Sequence, residues 1–205
     1  MPPYRRPPAV QARLDARRDR VLEAAVRLLS REGYTGCSVA AIAAEAGIST
    51  GSVYQAFSGK SELAAALFRT LVAREVEAVA AAADRPGTAA QRVAAAAETF
   101  AGRALQAPRR AFALLAEPAD QAVETERLVF RRAFRDVFAA RIAEGVTAGE
   151  LPPQNPGVTA AALVGAIAEA LVGPLADGDA APGDVVPALI TFTLRALGGH
   201  DAPDA

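Results

Sequence analysis

The chain has 205 residues, 52% of them hydrophobic but only 5% aromatic, with a formal net charge of −1. That length supports a small domain and one larger one, each with its own core. A single cysteine, Cys37, excludes an intrachain disulfide framework, and a single histidine, His200, excludes a histidine cage for a metal. Alanine dominates many stretches and has the best intrinsic helix propensity, while no segment alternates as a strand does. The predicted fold class is therefore all-α, and the single-thiol composition suits a reducing, cytoplasmic location.

Residues 1–14 are rich in proline and arginine and are expected to form a disordered basic arm, either a solvated tail or an arm touching a DNA groove or phosphates. They have charge but no apolar stretch, so they do not read as a signal peptide. Over residues 15–32 the apolar positions Val21, Leu22, Ala25, Val26, Leu28 and Leu29 recur at helical spacing. Gly33 follows as a helix stop. Ser38 is a candidate N-cap for a short helix over 39–46 that ends at Gly47, and Ser49 is the N-cap of another over 50–56. Gly59 opens a long helix over about 60–83, with Glu62 placed to reach back in a capping box.

Beyond residue 85 four or five helices are predicted, over about 88–106, from Pro108, over 120–148, 158–175 and 184–197. Pro108 and Pro187 fall in first turns, where a missing N–H does no harm, and the Pro152–Pro153 loop breaks the chain firmly. Residues 158–175 carry one charge, Glu169, and pass as a short membrane span. Gly165, Gly173 and Pro174 and the lack of flanking basic residues favour a buried helix, so no membrane partner is expected. The domain division read from this pattern is arm 1–14, head 15–62, helical domain 63–200 and tail 201–205.

The spacing over residues 39–53 has a steric cause. Two helices crossing steeply over a short turn need a small residue at closest approach, which is Ala43, and a positive φ in the turn, which Gly47 supplies. Val39, Ile42, Ile48 and Val53 would lock the pair to the preceding helix. Its exposed side would carry Thr50, Gly51, Ser52, Tyr54 and Gln55, which are hydrogen-bonding residues around a glycine that permits close approach. Gln55 suits adenine and Thr50 a thymine methyl, though either suits a phosphate equally. Tyr54 and Lys60 suit phosphate contacts, against the alternatives of packing and plain solvation. Charge supports a polyanion at this end. Residues 1–70 hold ten basic and six acidic residues, and the remainder holds 12 basic and 17 acidic.

Residues 17–68 resemble the DNA-binding domain of the TetR family of bacterial transcriptional regulators, on the stretch from Ser38 to Leu63 and above all Tyr54-x-x-Phe57 followed by Lys60-x-x-Leu63. The resemblance implies that Tyr54 and Lys60 bind phosphate and that Ser38, Thr50, Ser52 and Gln55 face DNA, with Ser49 at the same helix start. Gly59 stands where the family usually has a serine cap, and Gln55 where it often has histidine. It also implies a repressor released from a palindromic operator by a small-molecule effector, with no cofactor and no metal.

The last two predicted helices are apolar nearly all round, so a second copy of the chain is expected to cover them, through Leu163, Ile167, Leu171, Leu189 and Phe192. The middle helices carry most of the aromatics. Phe100, Arg103, Phe112, Leu115, Phe130 and Phe134 are candidates for an effector pocket, or else ordinary core. Cys37 reads as a structural thiol rather than a redox sensor, since no resolving cysteine exists. Two rival functions remain. An all-α enzyme would need a nucleophile–base pair, metal cluster or phosphate loop, and none is visible. A helix-turn-helix adaptor that binds protein instead of DNA would not need Tyr54, Lys60 and a basic arm on one side.

Overall fold

In the computed structural model, residues 8–177 and 182–198 are described. Among them are nine helices and no strand: α1 (Pro8–Glu32), α2 (Val39–Ala46), α3 (Thr50–Ala56), α4 (Lys60–Ala83), α5 (Ala89–Gln106), α6 (Pro108–Leu115), α7 (Gln121–Thr147), α8 (Pro156–Asp177) and α9 (Pro182–Ala196). The chain divides into two compact units, one of Met1–Leu71 with Pro118–Glu126 and one of Val72–Glu117 with Arg127–Ala205. The helix expected from residue 15 begins at Pro8, so residues 8–14 of the expected arm are helical. Proline suits that first turn, and the arginines that follow lose little rotamer freedom in a helix. Residues 1–7 and the tail with His200 lie outside the described residues.

In the first unit, Val21, Ala24, Ala25, Leu28 and Leu29 form the buried face of α1. Ser38 caps α2 by accepting the Ala41 N–H at 3.1 Å. Gly47 ends α2 in the left-handed region, at φ 66°, and its N–H reaches the Ala44 carbonyl at 3.1 Å. Ala43 is 2% exposed at the crossing and its carbonyl accepts the Ile48 N–H at 3.0 Å, so the turn closes on a residue with no bulk. A feature with no sequence signal is the segment Pro118–Glu126. It belongs to this unit through Asp120, which accepts from the Tyr34 hydroxyl at 3.0 Å, and Glu126, which pairs with Arg69. Burial and that bond push the Tyr34 hydroxyl up to about 12.

The core of the second unit gathers Val93, Phe134, Phe138, Ile142 and Leu163 with the alanine face of α5 (Ala96, Ala97, Ala101). Small residues there let α8 and α9 pack close to α5. Gly145 marks a similar approach on α7, where a Cβ would lie 2.4 Å from that of Ala89. Thr88 and Gln91 form a complete capping box at the start of α5. The helices α8 and α9 require a correction. Leu163, Ile167, Leu171 and Leu189 are each 7% exposed or less and belong to this core, so they have no surface left to offer a partner. A helix apolar all round has no moment to show which side is inner. The outer side carries Val158 at 65% and Phe192 at 44% exposure. By length and composition, Pro156–Ala176 could cross a membrane, yet its inner stripe is committed to this core.

Candidate DNA-binding site and ligand cleft

Helix α3 is placed by three contacts. Ser49 accepts the Ser52 N–H at 3.2 Å and lies 3.0 Å from the Ser52 hydroxyl, so the cap occupies both serines. Val53 and Phe57, each 1% exposed, seat its inner side. Its C-terminal end is held by Arg18, whose guanidinium donates to the Ala56 carbonyl at 2.9 Å and to Glu62 at 3.0 Å. The same group lies 4.1 Å from the centroid of the Phe57 ring, a cation–π contact.

The outer side of this unit then presents Thr50, Gly51, Gln55 and Lys60, all exposed, and Tyr54 at 57% exposure. Ser38 and Ser49 are exposed and Ser52 half-buried. A Cβ on Gly51 would meet only the Ser49 hydroxyl, at 3.8 Å, so packing does not demand glycine there. Gln55 is not free: its side-chain oxygen accepts from Arg17 of α1. Arg17 and Arg18 carry no motif that marks them, and their partners Gln55, Ala56 and Glu62 lie 38 to 44 residues further along the chain, beyond the reach of local spacing.

Two carboxylates tie the unit together. Glu45 accepts from Arg31 at 2.7 Å and Arg27 at 2.9 Å, which hold it down at about 2. Glu62 reaches past the α4 cap to the Ser58 N–H at 2.6 Å, one residue beyond the capping-box partner. That backbone hydrogen bond, then the Ser58 and Arg18 side-chain contributions, pull Glu62 down from 4.5 to about 2. Its contribution to stability is therefore complete above about pH 4.5 and is lost as pH falls towards 2. In Glu62→Gln, the tyrosine-monitored melting midpoint should fall less between pH 5 and pH 3 than in the wild type. Equal slopes would remove Glu62 from the acid response.

In the second unit, α7 and α8 border a cleft of about 540 Å3. Phe100, Phe130 and Phe134 meet edge to face, with centroids 4.8 and 4.6 Å apart, and line it with Leu115. Val164, Ala168 and Val172 of α8 form its other wall. Of the six pocket candidates, these four therefore line the cleft. Arg103 instead lies at a smaller adjoining cavity, where it forms a two-pronged pair with Glu75 at 2.6 and 3.1 Å. Phe112 packs half-buried against the core and lines neither.

Arg127 also lines the cleft, and aromatic content could not have found it. It is 8% exposed and donates to the carbonyls of Leu114 at 3.1 Å, Ala113 at 2.9 Å and Glu117. Cys37, 7% exposed, directs its thiol to the Gly33 carbonyl at 3.4 Å. Among the described residues no three His, Cys, Asp or Glu side chains are grouped to hold a metal.

Residues 21–67 match the family model of bacterial regulatory proteins, tetR family. No curated protein matches the chain. Among solved structures, the fatty acid degradation regulator FadR from Bacillus halodurans superposes with a TM-score of 0.74 at 16% identity, covering 86% of this chain and 97% of that one. FadR from Bacillus subtilis, in complex with stearoyl-CoA, gives 0.73 at 20% identity over 89% and 99%. A TetR-like regulator from Rhodococcus sp. RHA1 gives 0.65 at 26% identity over 96% and 100%. That match makes residues 21–67 a DNA-binding helix-turn-helix domain of the tetR family, and nearly the whole chain shares the fold of TetR-like transcriptional regulators.

Proposed function

We propose that the chain is a repressor that holds a palindromic operator as a homodimer and leaves it when a small molecule fills the cleft. The observation that carries the DNA-facing assignment is Tyr54. It stands 57% exposed on α3 while its neighbours Val53 and Phe57 are buried, and Lys60 follows at the start of α4. Tyr54 and Lys60 anchor phosphates; Thr50 and Gln55 reach base edges; Gly51 lets the DNA backbone approach; Ser38, Ser49 and Ser52 cap helices beside the groove. Because Arg17 engages the Gln55 oxygen, the Gln55 amide N–H groups are what remain to read acceptors in the major groove. Repression acts at the chromosome, hence in the cytoplasm.

The test is to select operator fragments from random DNA with purified protein and then titrate salt. Affinity should fall steeply with salt as phosphate contacts release counterions, and a protein-binding adaptor would retain no DNA. Lys60→Ala should weaken all sequences alike and lower the logarithmic salt slope by about 0.9. A changed base preference would remove Lys60 from the phosphate class. Gln55→Ala should instead change the selected sequence, and a uniform loss would reassign it to a phosphate.

The dimer rests on the outer faces of α8 and α9, where Val158 and Phe192 stand exposed beside small residues such as Ala162 and Ala188. Two heads so paired meet half-sites about one helical turn apart, roughly 34 Å. The protein should sediment as a dimer at micromolar concentration, and Phe192→Glu should shift it to monomer. A wild-type monomer would end this reading. Release follows if the ligand favours a conformer in which α4, starting at Lys60, no longer holds the heads on successive major grooves.

A further inference from the structure

We infer that the effector is an amphipathic anion, an apolar chain or ring body carrying a carboxylate or phosphate. This rests on the reading of the cleft as the effector site. Residues 71–205 are acidic, with 12 basic and 17 acidic side chains, yet the cleft collects Arg127, Arg131, Arg132 and Arg135 against a single acid, Glu169. Arg127 is committed to backbone carbonyls, and Arg135 pairs with its neighbour Asp136 at 2.7 Å. Arg131 and Arg132 make no ion pair among the described residues.

Arg131 stands one helical turn from both Arg127 and Arg135, and with Glu169 as the one carboxylate in the lining the cleft carries a net positive charge. An anionic group between Arg131 and Arg132 offsets that charge, and the guanidinium fork fits carboxylate and phosphate oxygens in pairs. An arginine row that served only solvation would not need an apolar floor beside it. Here Phe100, Phe130 and Phe134 supply one, continued by Val164 and Val172. At about 540 Å3 the cleft is within the range of roughly 300–1,000 Å3 of small-molecule sites.

Three probes of equal chain length separate the head group from the body: dodecyl phosphate, dodecanoate and dodecanol, each below its aggregation limit. Calorimetric titration of the full chain should show both anions binding at least about tenfold tighter than the alcohol. The tighter of the two anions identifies the head group as phosphate or carboxylate. The double variant Arg131→Gln/Arg132→Gln should lose about tenfold for the anions while dodecanol affinity and melting midpoint stay put. The inference is overturned if dodecanol matches the anions, if none of the three binds, or if the double variant binds anions undiminished. It is overturned too if that variant changes the oligomeric state, which would give the arginines to a second copy. Operator release is read separately by fluorescence anisotropy. Anions that bind through Arg131 and Arg132 but leave DNA bound would sink the effector reading alone. Release by a neutral compound without anion binding would sink this inference alone.

Discussion

Phe57→Ala is expected to destabilise the DNA-binding unit by about 4 kcal/mol and to abolish operator binding. Phe57 is 1% exposed and sits at the C-terminal cap of α3, so its ring sets where that helix stops as well as filling space. Truncation removes its buried area, leaves a cavity, and strips Arg18 of the ring beneath its guanidinium, itself worth roughly 0.5–1 kcal/mol. Small domains have stabilities at the low end of about 5–15 kcal/mol, so a loss of this size leaves a substantial unfolded fraction. The three tyrosines, Tyr4, Tyr34 and Tyr54, all precede residue 60 and no tryptophan is present, so near-ultraviolet tyrosine signal reports this unit selectively. Its transition should move to far lower urea, while Phe57→Leu should cost only roughly 1–2 kcal/mol and keep DNA binding. An alanine variant with an unmoved transition would show that the ring does not hold α3.

What could be read from the residues alone follows the distance between partners. Ser38 with Ala41, Gly47 with Ala44 and Thr88 with Gln91 lie within a few positions of each other, so local spacing announced the caps and the turn. Arg18 holds Ala56 and Glu62 from 38 and 44 residues away, and Tyr34 meets Asp120 across 86. Spacing carries no sign of such pairs. The apolar α8 and α9 announced that both sides are covered but not by what, and Leu163, Ile167, Leu171 and Leu189 turned out to be covered by their own chain. Aromatic content located the floor of the cleft at Phe100, Phe130 and Phe134. It missed Val164 and Val172, which reach the cleft only because α8 packs alongside.

Arg127→Met is expected to cost the second unit about 3 kcal/mol and roughly 10 °C of melting midpoint, although the substitution keeps an unbranched apolar stem in the same space. The reason is the end of α6. That helix stops at Leu115 with Ala116 as its cap rather than a glycine, because Glu117 precedes Pro118 and is pushed away from helical backbone. Without a left-handed glycine, its last carbonyls need another donor. Arg127 supplies it, its Nε donating to the Leu114 carbonyl and its Nη2 to the carbonyls of Ala113 and Glu117. Its positive charge also lies at the negative end of α6, where the helix dipole favours it. A thioether leaves these buried carbonyls unsatisfied. Arg127→Lys keeps the charge but offers one point donor in place of a planar fork, so it should recover less than half of the loss. Leu114 and Leu115 border the cleft, so the same variants should weaken effector binding in proportion to their effect on melting. Thermal unfolding of the three proteins decides it. A methionine variant melting within about 2 °C of wild type would show that water caps α6 as well as the guanidinium does.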